Sequence, residues 1–445
     1  MTLTTLLDRF RAAAPQPALI WQDQPCHYSE LLTAIDLWQT KLSQAGLPTG
    51  AVVALLANYS PNATALLLAL FARQAIVLLQ SGNLSLDRSE QQHIAEAEWL
   101  IKIDAQDEVC ITATGCSARH ELISQLRSRQ HPGLILFTSG SSGQPKAVVH
   151  DAMLLLEKAL ASRPLPRTLI FSLLDHIAGV NLLIHLLANG GCAVIPTALS
   201  PDAIAAAVER HRVEFLPTPP TFFNLFLLSR TYERYDFSSL KTASYGSEAM
   251  PPSTLARLHE MFPNVRFQQA YGMTEMGMLR VKTRSSDSLW VKVDSDSCAV
   301  RVVDGLLELK APSAMLGYLN APSPFTADGW YKTGDAVELD GEWLRVLGRK
   351  SELINVGGQK VYPAEVESVL QAMDGVAEVA VKGEPNELTG NMVTAKVRLT
   401  TDESLRTFRM RLRAFCQGKL APYKVPVQVT LVAEPLHSER FKKMR

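Results

Sequence analysis

The chain has 445 residues and 47% of them are hydrophobic, so it can bury a large core and is not expected to be disordered. Its 44 lysines and arginines balance 44 aspartates and glutamates, which removes the simplest electrostatic argument for a nucleic-acid or anionic-membrane partner. Six scattered cysteines without a CxxC pair, a charged N-terminus and the lack of a long uninterrupted apolar run exclude a disulfide scaffold, a secretory signal and a membrane span. We therefore expect a soluble, cytoplasmic protein.

The first half of the chain alternates between strand and helix patterns. Strand–helix–strand units are predicted over residues 52–79, 168–195 and 214–245, where apolar runs of strand length flank amphipathic or apolar runs of helix length. In chain order, the predicted strand, helix and strand of each unit are 52–56, 62–73 and 75–79, then 168–173, 177–188 and 192–195, then 214–216, 221–229 and 242–245. This alternation is typical of a mostly parallel sheet that is covered by helices on both faces.

The pattern changes in the second half of the chain. From about residue 289, short strand-like pieces are separated by Asp-Gly turns at 304–305, 328–329 and 340–341. From about residue 350, helix patterns at 363–373 and 402–419 and strand patterns at 376–382 and 392–399 predict a separate small α+β domain. We expect two domains, with residues 1–349 in the first and 350–445 in the second.

A loop of small residues follows an apolar strand within the segment LILFTSGSSGQPKAVVH, residues 134–150. Hydroxyl groups, backbone amides that glycine leaves accessible and one lysine are what a triphosphate requires. The spacing differs from GxxxxGK[ST], because a proline precedes the lysine and no Ser or Thr follows it. A flexible linker is the alternative, but the apolar runs on both sides argue against it. The predicted phosphate-binding residues are Thr138, Ser139, Gly140, Ser141, Ser142, Gly143 and Lys146.

Three further motifs follow, namely QAYGMTE at 269–275, GWYKTGD at 329–335 and a segment from LGR to VYPAEVE at 347–367. Each motif alone could be an ordinary capped loop or turn. In this order and at these separations, they resemble the adenylate-forming superfamily, which contains acyl- and aryl-CoA ligases, nonribosomal adenylation domains and firefly-type luciferases. The resemblance covers nearly the whole chain. It implies an α/β fold whose large N-terminal domain has mostly parallel sheets flanked by helices and a small β subdomain, with a small mobile α+β C-terminal domain.

The resemblance also implies how ATP is bound. The loop that ends at Lys146 would close over the β- and γ-phosphates. Tyr271 resembles the residue that stacks on adenine, Thr274 the α-phosphate contact and Glu275 the Mg²⁺ ligand. Asp335 and Arg349 resemble the residues beside the ribose. The remaining residues implied to line the nucleotide are Gly246, Ser247, Glu248, Gln269, Ala270 and Gly272.

The chain ends in FKKMR, which is similar to the terminal GKxxR of the superfamily. Spacing to Arg445 favours Lys442 as the catalytic lysine, although Phe441 replaces the glycine and Lys443 is an adjacent alternative. A lysine suits this role, because attack of a carboxylate on the α-phosphate brings two anions together and catalysis must be mostly electrostatic and positional. The predicted catalytic set is Lys442, Thr274, Glu275 and His176.

Members of the superfamily move the small domain between adenylation and thioester formation. The resemblance places Gly357 and Gly358 against the thiol arm, where glycine permits close approach of the backbone. Ser351 occupies the pivot, at which Asp or Lys is usual.

The acyl pocket is predicted around LLDHIAG, residues 173–179, where His176 would border the acid. In amino-acid-activating relatives an aspartate binds the substrate ammonium at the position of Ile177, which cannot pair with a cation, so an α-amino acid is disfavoured. Two alternatives remain. Asp175 could bind a substrate ammonium group if the correspondence is shifted by one residue, and His176 could have a purely structural role. Other candidate pocket residues are apolar or small and indicate an aliphatic, alicyclic or aromatic acid. They are Phe222, Phe223, Tyr245, Gly246, Met273 and Gly277.

The resulting hypothesis is an ATP- and Mg²⁺-dependent ligase that activates a small carboxylic acid and passes it to CoA. The phosphopantetheine of a separate carrier protein is the alternative acceptor. An alternative of another class is a nucleotide-binding relative without turnover, which Ser351 and Phe441 favour and the intact motif residues oppose.

Overall fold

The computed structural model describes residues 2–82, 87–138, 145–161, 165–438 and 441–445. Most of the predicted phosphate loop lies outside these residues, namely Ser139, Gly140, Ser141, Ser142 and Gly143. Two compact units are distinguished by their internal contacts. The first comprises Met1–Pro217, Gly272–Leu279 and Ala311–Pro324, and the second comprises Thr218–Tyr271, Arg280–Lys310 and Phe325–Arg445.

The first unit contains a seven-stranded sheet whose central strands are buried on both faces. Val52–Leu56 and Ile76–Gln80 pair in parallel, and helix Pro61–Ala72 connects them, as the sequence predicts. Both strands are continuous apolar runs because neither face meets water. In spatial order, the strands are Gly317–Tyr318, Lys146–Asp151, Gly133–Thr138, Ile76–Gln80, Val52–Leu56, Trp99–Ile103 and Val109–Ala113.

Further strands of the first unit form a second, mostly parallel arrangement. Their order is Phe215–Thr218, Thr168–Leu169, Ala193–Val194, Pro17–Trp21 and Gln24–His27. The helices of this unit are Thr2–Ala12, Tyr28–Gln44, Pro61–Ala72, Ser89–Ile94, Glu121–Arg129, Ala152–Leu160, Ile177–Ala188 and Pro201–His211. Helix Ile177–Ala188 has the predicted bounds, and its apolar side chains join the main core of the unit.

The second unit begins with helices Pro220–Ser229 and Pro252–Met261 and a parallel pair of strands, Thr242–Tyr245 and Arg266–Gln269. The short pair Tyr271–Met273 and Gly277–Leu279 follows along the chain. A six-stranded antiparallel sheet then confirms the predicted β subdomain. Its order is Val281–Thr283, Val291–Val293, Trp343–Arg349, Tyr331–Asp340, Leu306–Lys310 and Ala299–Val303. Asp304 and Gly305 both have positive φ, of 51° and 76°, as a tight hairpin turn requires.

The last part of the second unit is an α+β arrangement. Its sheet contains Gln359–Val361, Ile354–Val356, Gly390–Leu399, Val376–Asn386 and Gln428–Leu431, and its helices are Pro363–Leu370 and Leu405–Cys416. The second helix is shorter than the predicted 402–419. It begins after Ser404, because the Ser404 hydroxyl accepts a hydrogen bond from the Thr407 amide and caps the helix.

These elements agree with the predicted α/β class, with a large N-terminal and a small C-terminal domain. The boundary between residues 349 and 350 stays a prediction. All six cysteines are free thiols. No helix among the described residues is long and apolar enough to cross a membrane.

Candidate active site

The predicted phosphate loop is the connection of a β-hairpin. Gly133–Thr138 and Lys146–Asp151 pair antiparallel, with Thr138 directly opposite Lys146. The Nζ atom of Lys146 lies 5.2 Å from the centroid of the Tyr318 ring, within the range of a cation–π contact. The register therefore places the loop's lysine at the base of the loop, next to an aromatic side chain that sequence reasoning missed.

Tyr318 connects the lysine to the predicted magnesium ligand. Its hydroxyl donates to Glu275 Oε1 at 2.8 Å, and Glu275 is 9% exposed. The Glu275 carbonyl also accepts a hydrogen bond from the amide of Met315, so both its backbone and its side chain are fixed. The first unit thus brings a cation, a phenol and a buried carboxylate into one set of contacts.

His150 holds the backbone of the same motif. Its Nε2 atom donates to the carbonyl oxygen of Thr274 at 2.6 Å. Burial lowers the pKa of His150 to about 4, with the charge of Lys158 acting in the same direction and the Thr274 hydrogen bond opposing it. The imidazole is therefore neutral at physiological pH, with its proton on Nε2.

Lys158 fixes the end of the motif segment. Its ammonium group donates to the Met278 carbonyl at 2.6 Å and to the Ser313 hydroxyl at 3.2 Å. Sequence analysis identified neither His150 nor Lys158 as a site residue. His150 is only a polar residue at the end of an apolar strand pattern, and Lys158 has the pattern of an ordinary helix lysine.

In the predicted acyl-pocket segment, the Asp175 side chain is buried and makes polar contacts. This side chain is 7% exposed, accepts a hydrogen bond from the Ser81 amide at 3.2 Å and lies 3.4 Å from Arg88 Nη1. Its carboxylate is therefore already paired with a cation. Ile177 is 2% exposed and belongs to the main core of the first unit.

His176 caps helix Ile177–Ala188, because its Nδ1 atom accepts a hydrogen bond from the Ala178 amide at 3.2 Å. This contact is the structural role that the sequence left open. Gly179 is required nearby, since a Cβ atom would lie 2.5 Å from the Tyr59 hydroxyl and 2.1 Å from the Leu173 carbonyl oxygen.

In the second unit, Tyr271 and Arg349 both contact the carboxylate of Asp335. The Tyr271 hydroxyl donates to Asp335 Oδ2 at 2.5 Å, and Arg349 Nε lies 3.5 Å from Asp335 Oδ1. Asp335 and Arg349 are cross-strand neighbours in the antiparallel sheet. Burial raises the pKa of Asp335, whereas Tyr271 and Arg349 act in the opposite direction. Burial, followed by the Asp335 charge, raises the pKa of the Tyr271 phenol, which stays a donor.

Two predicted nucleotide segments lie side by side at the ends of parallel strands. Thr242–Tyr245 leads into Gly246, Ser247 and Glu248, and the neighbouring strand Arg266–Gln269 leads into Ala270. The Ala270 amide donates to the Tyr245 carbonyl at 2.7 Å, and a Cβ on Gly246 would lie 2.8 Å from the Ala270 carbonyl oxygen. The carboxyl ends of parallel strands commonly bind ligands, and glycine is needed here for the close approach.

The remaining pocket candidates are largely buried. Phe222 is 0% exposed, Tyr245 is 1% exposed and Phe223 is 3% exposed, and the Tyr245 hydroxyl donates to the Ser288 carbonyl at 3.3 Å. Burial raises the pKa of Tyr245. In the first unit, Met273 is 8% exposed, and a Cβ on Gly272 would lie 2.8 Å from the Gly277 carbonyl oxygen.

The two terminal lysines have different surroundings. Lys443 Nζ lies 3.2 Å from Glu367 Oε2, and Arg445 donates to both oxygens of the same carboxylate at 2.8 and 2.9 Å. Burial would raise the pKa of Glu367, but Lys443 and Arg445 outweigh it and hold that pKa at about 2. The Lys442 side chain is exposed.

The double glycine forms an exposed turn. Gly357 and Gly358 connect Ile354–Val356 to Gln359–Val361, with φ values of 56° and 84°. A Cβ atom on Gly358 would meet no atom within 4 Å. The turn is therefore open and has a backbone conformation that favours glycine.

No group of three or more His, Cys, Asp and Glu side chains among the described residues could hold a metal ion. Mg²⁺ in nucleotide enzymes is usually held by one or two carboxylates together with substrate phosphates. The single buried carboxylate of Glu275 fits that mode of binding.

A model of the AMP-binding enzyme family matches residues 8–331, and a model of the C-terminal domain of AMP-binding enzymes matches residues 365–442. Because the first match alone covers more than half of the chain, this protein belongs to the AMP-binding enzyme family. The resemblance to the adenylate-forming superfamily is thereby confirmed.

Similar proteins agree with this membership. The 2-succinylbenzoate–CoA ligase of Bacillus pumilus is 29% identical over 96% of this chain and 94% of its own length. Among solved structures, an anthranilate CoA ligase in complex with anthranoyl-AMP has a TM-score of 0.82 at 20% identity and covers 100% of this chain and 95% of its own. The o-succinylbenzoate coenzyme A synthetase of Bacillus subtilis, solved with ATP and a magnesium ion, has a TM-score of 0.77 at 23% identity. The match covers 99% of this chain and 98% of that chain. The fold is therefore that of adenylate-forming enzymes.

Proposed function

We propose that this protein is an AMP-forming acid–CoA ligase. A carboxylate attacks the α-phosphate of ATP and releases pyrophosphate, which gives an acyl-adenylate. The CoA thiol then attacks the acyl carbon, loses its proton and releases AMP, which gives the thioester. The observation that carries the proposal is the contact series from Lys146 through Tyr318 to Glu275, which places a lysine at the base of a small-residue loop next to a buried carboxylate.

In this function, Lys146 and the loop from Thr138 bind the ATP phosphates. Glu275 is the protein ligand for Mg²⁺, which supplies charge neutralisation between the phosphates when it is bound. His150 holds the backbone of Thr274 in place, so that the Thr274 side chain can contact the α-phosphate. Fixed donors and cations of this kind stabilise developing negative charge without a large reorganisation.

The nucleoside is bound by residues of the second unit. Tyr271 stacks on adenine, and the strand ends Gly246–Glu248 and Gln269–Ala270 line the base. Asp335 accepts hydrogen bonds from the ribose hydroxyls, and Arg349 neutralises it. Support comes from the contacts that Tyr271 and Arg349 each make with the buried Asp335 carboxylate.

Lys442 is the catalytic lysine of the adenylation step. Lys443 has a structural partner in the buried Glu367, and withdrawing its ammonium group would leave a buried carboxylate with one partner fewer. Lys442 also has the spacing to Arg445 that the terminal motif requires.

The acid is an apolar, most simply an aromatic, carboxylic acid without an α-ammonium group. Ile177 is apolar, and Asp175, the alternative ammonium ligand, already contacts Arg88. Aromatic acids appear in the names of the Bacillus pumilus relative and of the anthranilate ligase. Phe222, Tyr245, Met273 and Gly277 are the candidate pocket residues, with His176 at the border.

The acceptor is CoA, because the similar Bacillus pumilus enzyme is a CoA ligase. The open turn of Gly357 and Gly358 is the element proposed to approach the thiol arm. If the acyl group is transferred to a carrier protein and not to CoA, the carrier protein replaces CoA as the acceptor in this proposal.

The test is acid-dependent exchange of pyrophosphate into ATP over a panel of aromatic, alicyclic, aliphatic and amino acids. We expect exchange with aromatic acids and a CoA thioester, detected by mass spectrometry, once CoA is added. Glu275→Gln serves as the negative control. Exchange without a CoA thioester would move the acceptor to a carrier protein. ATP binding without exchange across the panel would favour the non-catalytic alternative.

A further inference from the structure

Two short segments, residues 436–438 and 441–444, pair with each other and are together called the C-terminal hairpin here. The Ser438 amide donates to the Lys442 carbonyl at 2.9 Å, and the Met444 amide donates to the Leu436 carbonyl at 2.8 Å. His437 and Lys443 are bridge partners. This C-terminal hairpin therefore determines where the Lys442 backbone lies.

Phe441 has an unusual conformation within the C-terminal hairpin. Its φ is 54°, in the left-handed region that a bulky residue rarely adopts. Its ring stacks on the His437 ring with a centroid distance of 5.1 Å, and it also contacts the Phe222 ring with a centroid distance of 5.3 Å. The Phe222 contact is edge-to-face at 90°, and the His437 contact is nearly parallel at 13°. These are favourable aromatic geometries and they offset the unfavourable backbone conformation.

A second contact joins the C-terminal hairpin to the same region. Glu248 Oε1 accepts a hydrogen bond from the Lys443 amide at 2.6 Å, and Glu248 Oε2 accepts one from the Thr221 hydroxyl at 2.6 Å. Thr221 and Phe222 are neighbours in helix Pro220–Ser229. One helix and one carboxylate thus hold the residues on both sides of Lys442.

We propose that Phe441 and Glu248 are positioning residues for Lys442, which dock the C-terminal hairpin for adenylation. The inference rests on the proposed function and adds a role to Glu248, which the sequence places only beside the nucleotide. Phe441 then replaces glycine before the catalytic lysine because its ring supplies a docking contact that glycine cannot make.

Contacts that dock the hairpin can be distinguished from contacts that only stabilise the small domain by the part of the chain to which each partner belongs. Glu367, Lys443 and Arg445 all belong to residues 350–445, so their ion pairs would move together with the predicted small domain. Phe222 and Glu248 belong to residues 1–349. The contacts of Phe441 with Phe222 and of Lys443 with Glu248 therefore cross the predicted boundary and would be lost when the small domain moves for thioester formation.

The test compares the two half-reactions of Phe441→Gly with those of the wild type. Adenylation kcat is expected to fall about tenfold, the factor that loss of one well-packed aromatic pair implies, with an unchanged KM for ATP. Thioester formation from added acyl-adenylate and CoA should stay within about twofold of wild type, because it does not use the docked hairpin. Thr221→Val should change adenylation in the same direction by a smaller factor.

Phe441→Tyr keeps the ring and should retain wild-type adenylation, whereas Met444→Ala changes an exposed side chain of the same hairpin and should affect neither step. Hydrogen exchange at the Lys443 amide supplies a readout besides activity, since its protection should be lost in Phe441→Gly. Equal loss of both half-reactions, or unchanged adenylation in Phe441→Gly, would overturn the inference. Failure of the proposed function is distinct, because the wild type itself would then show no adenylation.

Discussion

His150 gives the enzyme an acid-sensitive contact at the level of one residue. Its folded pKa of about 4 lies below the ordinary value of 6.5, so the unfolded chain binds the proton more readily between these two values. Stability from this group is therefore full above pH 6.5 and is lost as the pH falls toward 4. The loss corresponds to about 3 kcal/mol when complete.

We expect His150→Gln to be less sensitive to acid than the wild type. Glutamine can still donate to the Thr274 carbonyl but does not titrate. The measurement is the difference in Tm between pH 7.5 and pH 5, which should be smaller in the variant. An equal difference in both proteins would show that His150 titrates normally.

The adjacent lysines at the chain end should have separable roles. Lys442→Ala is expected to abolish acyl-adenylate formation and leave ATP binding nearly unchanged. Lys443→Ala should retain measurable adenylation and lower Tm, because it removes one of the cations that contact the buried Glu367 carboxylate. Pyrophosphate exchange and isothermal titration with ATP measure the two properties. Full adenylation in Lys442→Ala would move the catalytic role to Lys443.

The sequence predicts residue roles where the side chains lie in recognised motifs, even when the motifs are far apart along the chain. Tyr271, Asp335 and Arg349 were assigned to one ligand, and the structure brings these three into contact. Tyr318 was missed because it lies in none of the recognised motifs, although its partner Glu275 does. The second contact of Glu248 was missed because it is made to the backbone amide of Lys443, 195 positions away, which no side-chain pattern indicates. No local pattern encodes such pairs.

At the level of elements, the turn of Gly357 and Gly358 is predicted to matter for thioester formation and not for adenylation. Gly358→Leu introduces a side chain into open space, so the cost in this conformation is only that of a left-handed backbone, about 1–2 kcal/mol. Adenylation should continue, whereas thioester formation should fall at least about tenfold because the side chain blocks the approach of the thiol arm.

Gly418→Leu is the matched control for that experiment. Gly418 also has a positive φ, of 75°, and equally open surroundings. Both variants therefore carry the same backbone strain, and only Gly358→Leu should separate the half-reactions. Similar kinetics in the two variants would argue against a role of the double glycine in thiol binding.

The prediction of elements succeeded where periodicity and end signals agree. Helix Ile177–Ala188 and strand Thr242–Tyr245 have the predicted bounds, with a capping His176 and a following Gly246 at their ends. Strand Thr168–Leu169 is shorter than the predicted 168–173, because an apolar run shows that a segment is buried but does not show how much of it pairs.

For the whole molecule, ATP binding is the property that the proposed ligase and the nucleotide-binding relative without turnover have in common. ATP with Mg²⁺ at 100 times its Kd should stabilise the protein by about 2.7 kcal/mol and raise Tm. Asp335→Ala should reduce this shift, because it removes the carboxylate proposed to bind the ribose. A scanning-calorimetry experiment with and without nucleotide measures it. No shift in a folded wild type would contradict nucleotide binding.

The division of the chain has a consequence for its synthesis. The polypeptide passes between the two compact units five times, at residues 217–218, 271–272, 279–280, 310–311 and 324–325. The second unit joins residues 218–271 to 280–310 and 325–445, so it cannot be completed while the ribosome is still translating the middle of the gene. Phe226 of helix Pro220–Ser229 contacts Phe237 and Phe262, which emerge soon after it. Phe222 of the same helix contacts Phe441, so this part of its packing forms only late in synthesis.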